Sequence, residues 1–222
     1  LGHWENDYGD KVPFDFTAPA RNITLHAVWL CTHINTAEEL IAFSNNVNSG
    51  TSFWWTTVFL DADIDVSGDI AWWFEPIGKD INKCFQGTFD GQGYTIRGLA
   101  TNSSSQWLGL FGYSHGATIR NVVMDASCFV ESSYNYYWAY VGRVIGICKS
   151  DKEPCVIENT VSMANAAFTG NNYGHLYLGG IAGCISVSNY KATVKNCANY
   201  GSLTHSGAAE HTYIGGVVGY IG

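Results

Sequence analysis

The chain has 222 residues, room for one domain with a sizeable core or for a domain with an attached fragment. Its formal net charge of −8 argues against nucleic acid as a partner, because a phosphate backbone demands a basic face. Calcium and neutral glycans stay open, and no apolar run of about 18 residues occurs that would insert this segment in a membrane.

Glycine is plentiful at 25 and proline scarce at 4, a balance expected of many short strands with glycine corners. No leader with a charged start and an apolar stretch is visible at Leu1, and the chain stops at Gly222 inside a repeat. It reads as a piece cut from a longer protein. The 7 cysteines cannot all pair within one chain. Cys148 with Cys155, or Cys184 with Cys197, could close a disulfide across a strand corner. The alternative is that several are small buried hydrophobes. No spacing matches a CxxC zinc or redox site.

Residues 1–29 read as a separate unit, and Thr24, His26 and Val28 alternate with Leu25, Ala27 and Trp29 at strand periodicity. The Thr-Leu-x-Ala-x-Trp pattern resembles the closing part of the Listeria–Bacteroides repeat, a small β-grasp-like module strung along bacterial surface proteins. The resemblance implies a partial module lacking its opening strand. Next comes a helix at about residues 36–48. Thr36 precedes Glu39 by three positions, the spacing of a capping box. Leu40, Phe43 and Val47 share one face, and Asn48-Ser49-Gly50 supplies the stop. A short amphipathic helix ahead of a repeat array suits a cap over the first exposed rung.

From Thr57 the pattern is that of strands: Val58, Leu60 and Ala62 alternate with Phe59, Asp61 and Asp63. Asp90-Gly91 marks a turn between apolar strands. Then the chain repeats itself. Leu110-Phe111-Gly112 returns as Val144-Ile145-Gly146, Ile181-Ala182-Gly183 and Val217-Val218-Gly219, with closing glycines 34, 37 and 36 residues apart. Two phrases recurring at one interval mark a stacked repeat, whose units bury their apolar faces only against neighbours. The second phrase is Ile119-Arg120-Asn121, Ile157-Glu158-Asn159 and Val194-Lys195-Asn196, with Ile96-Arg97-Gly98 taken as its first copy. The apolar member points into the core, the charged member out, and the Asn in at a corner. Stacked about 4.8 Å apart, Asn121, Asn159 and Asn196 can form an amide ladder, which Gly98 breaks in the first rung. Gly112, Gly146, Gly183 and Gly219 are structural, as are Gly179-Gly180 and Gly215-Gly216: each permits a sharp corner or a close approach of rungs. Arg143 replaces the first small residue of that pair. Long loops are expected at 127–140, 168–177 and 202–213, and per-repeat insertions often share the binding face.

In order, D-I-D-V-S-G, P-I-G, F-x-G-T-F-D-G-Q-G-Y-T-I and G-L-F-G span Asp63 to Gly112. Their succession resembles the GLUG-type repeat region of bacterial surface proteins, over residues 32–222. The resemblance implies an all-β fold: a right-handed parallel β-helix, or solenoid, over residues 30–222 with an N-terminal capping helix, truncated at its C-terminal end. It also implies a secreted or cell-surface location. The family appears beside catalytic domains, for example in secreted metalloproteases acting on immunoglobulin A, as an accessory without catalytic residues of its own.

Asp61, Asp63 and Asp65 alternate along one strand, a set of oxygens that could hold Ca2+, or a structural corner whose carboxylates accept backbone N–H groups. Aromatic residues cluster at Trp54-Trp55, at Trp72-Trp73-Phe74 and from Tyr134 to Tyr140. Sugar rings stack on exposed aromatics, so Tyr136, Tyr137, Trp138 and Trp55 are the ligand-binding candidates. The alternative is that one ring of each consecutive pair packs inward, with Trp73 in the core. His175, His205 and His211 read as loop histidines, and no carboxylate pair or nucleophile with a base emerges. The expected role is a non-catalytic segment serving adhesion or spacing, whose partner is a host or neighbouring-cell surface protein or glycan. Glycan binding through loop aromatics is one alternative. The accessory region of a secreted hydrolase or protease is another.

Overall fold

The computed structural model describes residues 32–68 and 74–222, together with the backbone strands His3–Glu5, Lys11–Val12 and His26–Val28. The chain divides into two compact units, Leu1–Thr32 and His33–Gly222. In the first, His3–Glu5 lies between the other two strands in an antiparallel sheet. His26–Val28 falls within the expected strand; the rest of that expectation, and Trp72 and Trp73, lie outside the described residues.

The second unit is a parallel β-solenoid. Four complete coils cover residues 88–115, 118–150, 155–187 and 192–221, and an earlier partial turn carries Thr57–Leu60 and Ile64–Asp65. Each coil contributes one strand to each of five parallel sheets. In coil two the five are Thr118–Arg120, Val123–Met124, Phe129–Ser132, Ala139–Gly142 and Ile145–Ser150. The anticipated pile is present: the N–H of Val144 donates to the carbonyl of Ile181, and that of Ile181 to Val217.

The helix Ala37–Asn48 covers the start of the stack. Thr36 Oγ1 accepts the Glu39 N–H at 3.3 Å, and Glu39 reaches back to the Asn35 N–H at 2.6 Å, one position before the N-cap. Leu40, Phe43 and Val47 are buried, each stabilising the fold by about 1.5–3 kcal/mol. Phe43 meets the rings of Phe53, Phe85 and Phe89 at 4.9, 5.6 and 5.9 Å. Asn48 ties the helix to the coil edge: its Oδ1 accepts the N–H groups of Gly78 and Lys79, and its Nδ2 donates to the carbonyl of Pro76.

In the first sheet Val58, Phe89, Ile119, Ile157 and Val194 form one inward column. The residues that follow them outward in the complete coils, Asp90, Arg120, Glu158 and Lys195, alternate in sign. Arg120 Nε lies 2.9 Å from Asp90, and Lys195 Nζ 4.0 Å from Glu158. This register corrects the first copy of the repeat. Phe89-Asp90-Gly91, not Ile96-Arg97-Gly98, pairs with Ile119-Arg120-Asn121; Ile96 pairs with Met124 in the second sheet. Both corners use left-handed backbone (Gly98 φ 66°, Asn121 φ 55°), so the two phrases look alike in sequence.

The amide ladder is formed, and Gly98 does not end it. Asn196 Nδ2 donates to Asn159 Oδ1 at 3.1 Å, Asn159 to Asn121 at 3.2 Å, and Asn121 to the Asp90 carboxylate at 2.8 Å. It runs on the outside rather than inward: Asn159 and Asn196 are exposed and Asn121 half-buried. A residue in the left-handed region interrupts the in/out alternation, and Asn tolerates that region better than most residues. Gly112, Gly146, Gly183 and Gly219 form a second column. A Cβ added to the last three would lie 2.8, 2.7 and 2.6 Å from the carbonyl oxygen of the glycine one coil before. The requirement there is close approach, not positive φ.

Gly142 pairs with Gly179, so Arg143 stands where coil three has Gly180, the second residue of the glycine pair and not the first. Its side chain is fully buried. The guanidinium donates to the Gly180 carbonyl at 3.2 Å and, across coil three, to Asn199 Oδ1 and the Ser202 carbonyl. No carboxylate is among these partners. The expected long loops also shorten, because Phe129–Ser132, His175–Gly179, Leu203–His205 and His211–Gly215 are strands. His175, His205 and His211 thus sit in strands, with the His175 and His211 rings 4.8 Å apart.

Candidate functional site: an aromatic cleft on the side of the solenoid

The chain leaves the helix through a tight turn in which Phe53 and Trp55 both adopt left-handed backbone, φ 56° and 57°. Each such non-glycine residue costs of order 1–3 kcal/mol and persists only where its surroundings hold it. Phe53 supplies that hold, buried against Phe43 and Phe85 with centroids at 4.9 and 6.2 Å. The Thr56 N–H closes the turn on the Phe53 carbonyl at 2.9 Å. Gly87 lets the turn lie against the next coil, since a Cβ there would meet the Thr56 carbonyl at 2.6 Å. With Phe53 inward, both tryptophans are thrown out: Trp54 is 48% and Trp55 85% exposed, their rings 4.9 Å apart and inclined at 40°. This rules out, for this pair, the alternative that one ring packs inward, which assumed strand alternation where the chain makes a turn.

The two rings stand at one end of an open cleft of about 270 Å³. Each of the next three coils adds a lining group: Gln86, Gly87 and Thr88, then Gly116 and Thr118, then Glu153, Pro154 and Val156. The floor is the outward column of the first sheet, in which Thr88 pairs with Thr118 and Thr118 with Val156. Among the described residues Glu153 is the sole charged one in the lining. It and Pro154 lie in a loop closed by the Cys148–Cys155 disulfide, whose Cα atoms are 6.2 Å apart. Within that loop Asp151 holds the buried His115 ring at 2.6 Å and Lys149 Nζ at 3.4 Å. Burial acts to raise the Asp151 carboxyl, but His115 and then Lys149 outweigh it and leave it below the usual carboxylate range. Cys184 and Cys197 remain apart as thiols; burial pushes the Cys184 thiol up to about 12.

The other ligand candidates lie elsewhere. Tyr136, Tyr137 and Trp138 are 65%, 73% and 48% exposed at the corner between the third and fourth sheets. They share that corner with Tyr173, whose N–H donates to the Tyr136 carbonyl, but not with Trp55. Trp138 meets the His175 ring edge-on at 5.9 Å. Tyr140, Tyr177 and Tyr213 stack face to face at 5.0 and 5.2 Å, which takes both faces of Tyr177 and one face each of Tyr140 and Tyr213.

The three aspartates do not converge. Asp61 contacts His33 Nδ1 at 2.7 Å and accepts Gln92 Nε2 at 2.9 Å. Asp63 accepts the Thr95 N–H at 2.8 Å and faces Arg97, and Asp65 accepts the Ser67 N–H at 2.9 Å. These bonds hold the Asp63 and Asp65 carboxyls below their ordinary value, by the Thr95 N–H first in one and by Ser67 in the other. Among the described residues no group of three or more His, Cys, Asp or Glu is placed to hold a metal ion, and no helix is long and apolar enough to cross a membrane. Sequence reasoning noted Trp54 in an aromatic cluster without choosing it as a ligand candidate, and missed Thr88, Thr118 and Glu153. A signal existed for the threonines, which precede the apolar member in Thr-Phe-Asp and Thr-Ile-Arg. Comparison of the chain with protein families, curated proteins and solved structures finds no match.

Proposed function

We propose that this chain is a non-catalytic solenoid segment of a larger secreted or cell-surface bacterial protein, and that it serves adhesion by holding carbohydrate against its side. One observation carries the reading: the Trp54–Trp55 pair, held outward by a strained turn beside a hydroxyl-lined cleft. Exposed ring faces next to hydrogen-bonding groups are what sugar rings need, and strain maintained at an exposed site points to use. The succession of GLUG-like phrases supports a surface protein. A disulfide fits an oxidising compartment. The non-catalytic reading is supported by the GLUG-type resemblance, in which the repeat region is an accessory to catalytic domains. A spacer role is the second reading, favoured by the asparagine ladder and alternating charge column that stiffen the stack.

The test is a glycan array probed with the 222-residue chain and with Trp55→Ala. Adhesion through the cleft expects glycan signals that the variant loses. Signals at background leave the spacer role, and shortened glycans after incubation would refute the non-catalytic assignment.

A further inference from the structure

We propose that the cleft takes a neutral, unbranched pyranose chain laid along the solenoid axis, an inference that rests on the carbohydrate role above. Direction comes from the lining. It is contributed rung by rung, from the Trp54–Trp55 turn through Thr88 and Thr118 to Glu153 beside Val156, so the cleft crosses four successive levels. At about 4.8 Å per level the first and last are about 14 Å apart. That span suits an extended chain whose rings advance by roughly one level each, and it is too long for a single ring.

Chemistry comes from what the lining offers. The tryptophans present two inclined faces at one end, for stacking against the apolar faces of pyranose rings. Threonine hydroxyls and the Gln86 amide offer donors and acceptors along the floor. Among the described lining residues the one charge is the Glu153 carboxylate, on a chain of net charge −8, so a polyuronate meets repulsion there with no described cation to offset it. A peptide strand is disfavoured because Thr88–Asp90 and Thr118–Arg120 are paired on both sides and expose no backbone edge for strand addition.

Titration calorimetry on the full chain with β-1,4-glucan, chitin-type and galacturonate oligosaccharides of two to six rings tests this. The expected result is that affinity for a neutral series rises with each ring to about four and then levels, one ring per level of the cleft. Galacturonates of equal length bind at least tenfold more weakly at low salt. Trp55→Ala loses at least tenfold on the neutral series, while Glu153→Gln narrows the gap between neutral and uronate series; matching circular dichroism checks that each variant is folded. Affinity that stops rising at two rings overturns the axial placement, and uronates that bind as well as neutral chains overturn the ligand class. Saccharide binding indifferent to Trp55 overturns this site but leaves the carbohydrate role, whereas no binding by any series overturns both.

Discussion

Replacing Arg143 by methionine isolates the cost of a buried cation from the value of its hydrogen bonds. Burial lowers the guanidinium from its ordinary value to about 10. A base whose folded value is depressed opposes folding wherever it is charged, so the penalty is fully present below about pH 10 and fades only as pH rises above that toward the ordinary guanidinium range. That penalty is on the order of a few kcal/mol at neutral pH. Among the described residues the Nε has no hydrogen-bond partner. Against this stand the three bonds to Gly180, Asn199 and Ser202. Two of those acceptors keep another donor when the guanidinium goes: Asn199 Oδ1 accepts the Gly201 N–H, and the Ser202 carbonyl accepts that of Ala166. The Gly180 carbonyl loses its guanidinium donor, at about 1–3 kcal/mol. Relief and loss therefore nearly cancel, and Arg143→Met is expected within about 1.5 kcal/mol of wild type, as for other buried charges exchanged for apolar groups. Arg143→Ala adds an unfilled cavity and is expected about 2–5 kcal/mol less stable than the methionine variant. Urea denaturation followed by far-ultraviolet circular dichroism measures both. If the two variants lose stability equally and by more than about 3 kcal/mol, hydrogen bonding outweighs desolvation and the reasoning fails.

Three further expectations concern the stack. Ile157→Asp places a carboxylate at a fully buried position of the first-sheet column and is expected to cost about 4 kcal/mol or more. Glu158→Lys puts a cation between Arg120 and Lys195 and should cost no more than about 1 kcal/mol; equal thermal losses would contradict the in/out assignment. Asp90, which terminates the amide ladder, resists protonation: burial acts to raise its carboxyl, but Asn121, Gln92 and Arg120 outweigh it and hold it below its ordinary 3.8. Its contribution is thus fully present above about pH 4 and is lost as pH falls through the lower folded value. A melting series from about pH 6 to about pH 2 should fall less steeply for Asp90→Asn, and an identical slope would remove Asp90 from the account. Reduction of Cys148–Cys155, which closes a loop with a sequence separation of 7, should cost about 2–3 kcal/mol. It should also raise amide exchange in residues 149–154 before residues 156–158, and uniform exchange would mean the disulfide does not set the cleft wall.

What could be read without coordinates followed how each feature is encoded. The stack was legible because its glycine column and its Ile/Val column each recur once per coil, and stacking forces one residue type to repeat where a Cβ or a charge cannot fit. The helix was legible because capping is local, set by Thr36, Glu39 and their neighbours. Strands inside the supposed loops were not, because Phe129–Ser132 and Leu203–His205 are three or four residues long and turn residues such as Phe129, Glu131 and Thr204 away from the core.

The cleft was half legible for a related reason. Trp55 stood out by residue type, but its exposure depends on a turn in which Phe53 and Trp55 occupy backbone that sequence assigns to glycine or asparagine. Such a turn is decided by contacts distant in the chain, the packing of Phe53 on Phe43 and Phe85. Arg143 makes the same point from inside. It reads as an altered corner until register shows the inward second-sheet column running Ile64, Ile96, Met124, Ser162, Asn199. That column turns polar in the two coils that the guanidinium reaches, so the arginine and its acceptors are one feature distributed over coils two, three and four. A solenoid fold tolerates such departures because a coil contacts mainly its neighbours, and the arginine reaches just one coil further. The same locality lets an exposed Trp pair at one corner and a buried cation in the interior coexist without disturbing the repeat that carries both.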